Sequence, residues 1–371
     1  MDKFLCYASC SFGLEFAVAN ELKDMGLEPH SKDARVFFYA DTEEIARANL
    51  RLACADRVYI VIKQFTAISF DELFEGIKSI DWSVYLSKHS AFPVLGDAVR
   101  STLKSVSDIQ KIGKKAIVES LKGKYGLSFY REDAEEKSVY ISVLSDEVSV
   151  CLNTSGIGLN RRGYRVKNAT APLRETLAAG LIRLTKWYDR PFYDIMCGSG
   201  TIAIEAALKL KNIAPGLNRK FSSERWDSDF ASAFSKERRA ARADIKTDKL
   251  PPIYAFDIDP QILDMARFHA RRAGVENTIQ FAKRNAAAFT PLTENGTIIS
   301  NPPYAVRMGE KDSVHELYKS IGKALLPLND FKYYFICSDE DFEKYFGKKC
   351  DKKRKVYNGN MKCNFYQYFK R

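Results

Sequence analysis

The C-terminal half of the chain repeats one pattern: a short apolar run, a polar or glycine-bearing break, then an amphipathic helix. "RPFYDIMCGSGTIAIEAALKL" reads as strand, glycine loop and helix, and "PPIYAFDIDPQILDMARFHARRAG" as strand, acidic strand end and helix. Strands that alternate with helices pair in parallel, because each crossover returns the chain to the same edge of the sheet. Two further strand ends follow in "NTIQFAKRNAAAF" and "GTIISNPPY", and a helix over about 312–326 leads to a central-looking strand, "FKYYFIC". "RKVYNGNMKCNFYQYF" then holds two alternating runs around Asn358-Gly359, the signal of a type I′ hairpin. The pattern predicts a doubly wound, Rossmann-like α/β sheet ending in an antiparallel hairpin. Residues 211–250 fall between its first helix and second strand and read as a partly helical insertion.

Two smaller α+β modules precede it. "KFLCYAS", "ARVFFYAD" and "ADRVYIVIKQF" are strand-like, separated by helices in "GLEFAVANELKDMG" and "DTEEIARANLRL". The order suggests a β-α-β-β-α-β ferredoxin-like layer over 1–65. From Ser69 a helix, an extended stretch, a long basic helix capped by Ser107 or Asp108, and two strands joined by "SDE" suggest a second module over 66–155. "GIGLNRRGYRVKNATAP" is rich in glycine and arginine and marks a boundary, so 156–190 is assigned to a linker and lead-in helix and 191–371 to the parallel-sheet domain.

Composition narrows the function. Eight cysteines occur without CxxC spacing and four histidines without clustering, which fits reduced core thiols and predicts no metal site. No run of about 18 apolar residues occurs and Met1–Phe12 lacks a sustained apolar stretch, so a soluble cytoplasmic protein without membrane contact is expected. Lys and Arg outnumber Asp and Glu, 58 to 47, which favours a polyanionic partner.

The strand ends carry the chemistry. Gly198 and Gly200 let backbone amides approach a ligand, and the helix that opens near Thr201 favours a carboxylate or phosphate there. No Lys-Ser/Thr pair follows, which excludes a P-loop; Ala203 stands in for the third glycine of GxGxxG, so a dinucleotide site stays open. Asp257 can accept both hydroxyls of a ribose, or cap a helix in "FDIDP"; Asn285 can bond an adenine edge. In "NPPY", the Asn301 side-chain oxygen and the Pro302 carbonyl can both accept from one exocyclic NH₂, while Tyr304 stacks on the ring that bears it. An aromatic amine is a weak nucleophile, and holding both its hydrogens returns electron density to nitrogen. Cys197 lies in the glycine loop, and no cysteine follows the two prolines, so covalent thiolate catalysis is discounted.

In this order the glycine loop, Asp257, Asn285 and "NPPY" resemble class I S-adenosylmethionine-dependent amino-methyltransferases. "GLNRRGYR", "APLRETLAA", "NIAPGLNRKF" and "KRKVYNGNMKC" extend the resemblance over nearly the whole chain, to THUMP-domain 23S rRNA guanine-N2 methyltransferases. The resemblance implies a class I methyltransferase sheet, and a THUMP RNA-binding module over 66–155. It implies S-adenosylmethionine as cofactor, held by Asp194, Cys197, Gly198, Ser199, Gly200, Thr201 and Asp257. Asn285 stands where many class I enzymes place Asp for the adenine amine. Asn301, Pro302 and Tyr304 match the amine-binding motif. Some relatives carry a second methyltransferase at the C-terminus; that activity is not expected of a chain ending after the hairpin.

The implied substrate is a guanine N2 amine in 23S rRNA, free or in an assembling large-subunit particle. Adenine-N6 methylation of DNA or RNA, and a non-catalytic RNA-binding assembly role, are the alternatives. Arg161, Arg162, Tyr164, Arg165 and Lys167 are expected to contact RNA, or else to form a solvated linker or an interdomain salt-bridge set. "KKCDKKRK" is either a solvated face or a further RNA contact.

Overall fold

In the computed structural model, residues 3–165, 173–248, 250–304 and 311–369 are described. The first unit runs β1 (Phe4–Ser9), α1 (Glu15–Asp24), β2 (His30–Lys32), β3 (Arg35–Ala40), α2 (Thr42–Arg51) and β4 (Arg57–Thr66). Here β2 is a three-residue exposed strand, too short to show in an apolar pattern. Then follow α3 (Phe70–Lys78), β5 (Val94–Val99), α4 (Val106–Tyr125), β6 (Val139–Leu144) and β7 (Glu147–Asn153). Capping boxes open α2 (Asp41 with Glu44) and α3 (Ser69 with Glu72), each satisfying amides the first helical turn leaves unpaired. The cap of α4 is Ser105, which accepts from the Asp108 amide, rather than Ser107 or Asp108. These two segments form one unit with a single sheet, ordered β2-β3-β1-β4-β7-β6-β5, because β4 and β7 pair antiparallel from Tyr59–Asn153 to Thr66–Glu147.

The second unit comprises α5 (Glu175–Leu184), β8 (Phe192–Asp194), α6 (Thr201–Leu210), α7 (Ser228–Ala243), β9 (Ile253–Asp257), α8 (Pro260–Arg272), β10 (Ile279–Lys283) and β11 (Gly296–Ser300). It closes with α9 (Lys311–Leu325), β12 (Phe331–Cys337), α10 (Phe342–Phe346), β13 (Lys352–Asn358) and β14 (Met361–Tyr368). Its sheet order is β10-β9-β8-β11-β12-β14-β13. The first five strands are parallel, and β14 runs antiparallel to both neighbours. The strand order reverses at β8, so the crevice that doubly wound sheets use for ligands opens at the C-terminal ends of β8, β9 and β11. The hairpin turn lies one residue later than expected. Asn358 still pairs with Met361, leaving Gly359 and Asn360 as the loop. Only Gly359 of these has positive φ (+63°), which fits a type II′ turn, whose first loop residue is glycine, rather than type I′.

The insertion fixes the two units together. Its helix α7 lies along α2, where Glu237 bonds Arg47 and Arg51 and Lys236 bonds Glu43. On the neighbouring face the buried Glu21 of α1 meets Arg183 of α5 at 2.8 Å and accepts the Ala53 and Cys54 amides. One apolar cluster, including Leu14, Leu50, Leu177 and Phe234, runs through this junction. Among the described residues no helix is long and apolar enough to cross a membrane, and no His/Cys/Asp/Glu group is arranged to hold a metal.

Candidate active site

Asp194 ends β8 and is fully enclosed. Its Oδ1 accepts from Ser300 Oγ at 2.7 Å, and that hydroxyl accepts the Ile195 amide at 2.8 Å, so the ends of β8 and β11 are tied through one serine. The other oxygen, Oδ2, is buried with no hydrogen-bond partner among the described residues. Burial, opposed by the Ser300 bond and by the Met196 amide, pushes the carboxyl up to about 7.

The glycine loop is built around Asp257. Its Oδ2 accepts the Gly198 amide at 2.9 Å and its Oδ1 the Asp259 amide at 3.1 Å. Asp259, not Asp257, caps α8, so the helix-cap reading of Asp257 gives way to a loop-holding one. Gly198 and Gly200 have φ of +51° and +85°, values that favour glycine, and a Cβ on Gly200 would stand 3.1 Å from the Ala266 Cβ. No side chain caps α6, so the amides of its first turn have no side-chain acceptor. Burial pushes the Cys197 thiol well up, which leaves it a packing group rather than a nucleophile. Ser199 and Thr201 bring their hydroxyls within 3.5 Å of each other.

Asn301 and Pro302 follow β11 directly, beside Asp194. Tyr304 is half-buried between the two apolar clusters, and its hydroxyl donates to Asn301 Oδ1. Asn285 lies two residues past β10 and is exposed, with its Oδ1 accepting the Ala287 amide at 2.9 Å. One lone pair of that oxygen is therefore already engaged.

Three residues that the sequence reading passed over belong here. Ser300 joins the strand ends. His269 of α8 meets the Ser199 carbonyl at 3.0 Å through Nδ1, and burial lowers its basicity, which favours a neutral ring donating to that carbonyl. Tyr318 of α9 donates to the Pro303 carbonyl at 2.8 Å and so orients the diproline turn. Ser300 adjoins "NPPY" and was legible by position; nothing local marks the other two.

The expected RNA-contact segment needs correction. Arg162 and Tyr164 are only 5% and 3% exposed. Both bond Glu205 of α6, and Arg162 also donates to the Leu159 and Ala53 carbonyls. Arg165 is largely enclosed beside Glu175, Thr201 and the Leu173 carbonyl. Arg162 reaches across to the Ala53 carbonyl of the N-terminal unit, while the ion pairs to Glu205 and Glu175 tie the segment to α6 and α5, so they are not an interdomain salt-bridge set. Arg161 is exposed, and Lys167 lies outside the described residues.

The family described as RMKL-like methyltransferase domain matches residues 162–367, more than half of the 371 residues. The chain belongs to this methyltransferase family. Its RMKL-like domain follows matches to the RlmL ferredoxin-like domain over 6–59 and the THUMP domain over 67–153. YpsC of Bacillus subtilis (strain 168) is 44% identical over 372 residues, covering 100% of this chain and 97% of YpsC. The ribosomal RNA large subunit methyltransferase K/L of Shewanella frigidimarina is 32% identical over 98% of this chain, but the chain spans only 52% of that protein. Among solved structures, SMU.472 complexed with SAH superimposes with a TM-score of 0.93 at 38% identity, covering 100% of this chain and 99% of that one. A predicted N6-adenine-specific DNA methylase from Listeria monocytogenes reaches 0.93 at 41% identity, covering 100% and 97%.

The methyl donor of this family is S-adenosylmethionine, and the residues fit it. The partnerless Asp194 Oδ2 suits its ammonium, the uncapped start of α6 its carboxylate, and Asp257 its ribose hydroxyls through the remaining carboxylate lone pairs. When bound it supplies an electrophilic methyl group.

Proposed function

We propose that the chain methylates the exocyclic N2 amine of a guanine in 23S ribosomal RNA, in the cytoplasm. One observation carries the reading: Ser300 bonds Asp194 and the Ile195 amide while preceding Asn301 directly, so the amine acceptors and the cofactor cradle share one strand junction. Asn301 Oδ1 and the Pro302 carbonyl take the two amine hydrogens, and the nitrogen lone pair is left to face the donor. Positioning of this kind supplies up to about 7 to 11 kcal/mol in oriented bimolecular reactions. Tyr304 now donates to Asn301 Oδ1, so an arriving amine displaces that hydroxyl or shares the oxygen, and the freed ring is placed to stack on the base.

RNA as substrate is supported by the THUMP match and by the name of the K/L relatives. Exocyclic amines of adenine and guanine suit the same acceptors, and the experiment must therefore distinguish them. Nucleosides from ribosomal RNA of a deletion strain are compared with wild type by mass spectrometry. Loss of N2-methylguanosine, restored by wild type but not by Asn301→Ala, is expected. Loss of N6-methyladenosine instead, or an unchanged profile, overturns the proposal.

A further inference from the structure

Resting on that reading, we infer that the loop before α1 and the tip of the β13–β14 hairpin form a platform on which an unpaired RNA nucleotide beside the target base stacks. Phe12 and Phe16 are 57% and 58% exposed, an unusual placement for two phenylalanines four residues apart. The Phe12 ring meets Tyr357 edge-on, with centroids 6.4 Å apart and planes at 82°. Lys355 Nζ stands 5.2 Å from the Tyr357 centroid.

The two parts are fixed to each other. Arg354 donates to the Gly13 carbonyl at 2.9 Å, and Glu15 accepts the Gly13 amide at 2.9 Å. Gly13 has φ +92°, and a Cβ there would fall 2.7 Å from the Lys355 carbonyl oxygen, so loop and hairpin meet backbone to backbone. An aromatic surface held in this way loses little freedom when a base lands on it.

The platform adjoins the reacting centre. Asn364 of β14 pairs with Cys337 at the C-terminal end of β12, which puts the hairpin tip on the active-site edge of the sheet. Cys363, the residue before Asn364, belongs to the apolar cluster against which Tyr304 packs. At the tip itself Asn358 accepts the Arg174 amide. Lys353 and Lys362 are neutralised by Glu343 and Glu340, but the exposed Arg174 and Lys355 have no ion-pair partner among the described residues. Aromatic faces beside unpaired cations complement a base and its phosphate.

The test is fluorescence anisotropy of the full chain with a labelled single-stranded oligoribonucleotide of about 16 nucleotides, titrated with salt. Phe12→Ala and Tyr357→Leu should each weaken binding about fivefold or more with an unchanged salt slope, since no charge is lost. Tyr357→Phe, which keeps the ring, should bind as wild type does. Lys355→Gln should flatten the log–log slope by about 0.7. Cofactor-product affinity and thermal unfolding should match wild type throughout. Equal affinities for wild type, Phe12→Ala and Tyr357→Leu would overturn the platform while leaving the methylation reading intact. Absence of RNA binding by the wild-type chain would also overturn the platform, while the methylation reading stands or falls on the nucleoside comparison.

Discussion

Asp194 is the most informative single perturbation, because its carboxyl is enclosed and half of it is unpartnered. Its folded pKa of about 7 lies above the ordinary 3.8, so the folded chain holds a proton there that the unfolded chain has released. Stability should therefore fall as pH rises between those values, and the loss accumulated above the folded pKa is about 4 kcal/mol. The cofactor reverses the preference. An ammonium at Oδ2 requires the ionised carboxylate, so affinity should rise with pH, by at most about tenfold per unit, and level off above about 7. Asp194→Asn keeps the shape and an acceptor for Ser300 but removes the proton. It should bind more weakly than wild type at about pH 8, with affinity independent of pH, and its stability should lose the acid-side gain. Calorimetry with S-adenosylhomocysteine from about pH 5.5 to 8.5, beside urea unfolding over the same range, measures both. A flat wild-type affinity, or a slope that survives in Asp194→Asn, would refute the assignment of Oδ2 to the cofactor.

The remaining expectations separate binding, chemistry and scaffold. Asp257→Ala removes a charge-assisted acceptor and unties Gly198, and should weaken cofactor binding by about 1.5 to 3 kcal/mol in calorimetry. Asn301→Ala should leave that affinity nearly intact while slowing single-turnover methylation about a hundredfold or more, since it acts only on positioning of the amine. Glu205→Ala strands the buried Arg162 guanidinium and should destabilise the chain by about 3 to 5 kcal/mol in urea unfolding, even though both residues lie outside the reacting centre.

Elements with a local signature were legible in the sequence. The glycine loop, the acidic end of β9, the diproline after β11 and the hairpin each carry their chemistry within a few residues, and the structure places them at the C-terminal end of the parallel strands. Relationships set by tertiary packing were not. The three-residue β2 pairs only by backbone, and the β4–β7 ladder joins segments whose side-chain periodicity reads as two modules. Arg162 and Tyr164 read as an RNA contact because arginine beside tyrosine in a glycine-rich stretch usually faces solvent. Their burial depends on Glu205, 43 residues beyond Arg162, with no local trace. His269 reaches the cofactor loop by the same long-range route.

The continuous ladder between β4 and β7 constrains the mechanics of recognition. Backbone pairing over Tyr59–Thr66 makes the ferredoxin-like and THUMP segments a single plate, and α7 rivets that plate to the parallel sheet through Glu237. On the proposed function, a strand gripped by the plate meets the diproline turn at a set offset. The chain then acts as a caliper: the nucleotide modified is the one lying at that span from the grip, and spacing along the RNA takes over work that base reading would otherwise have to perform.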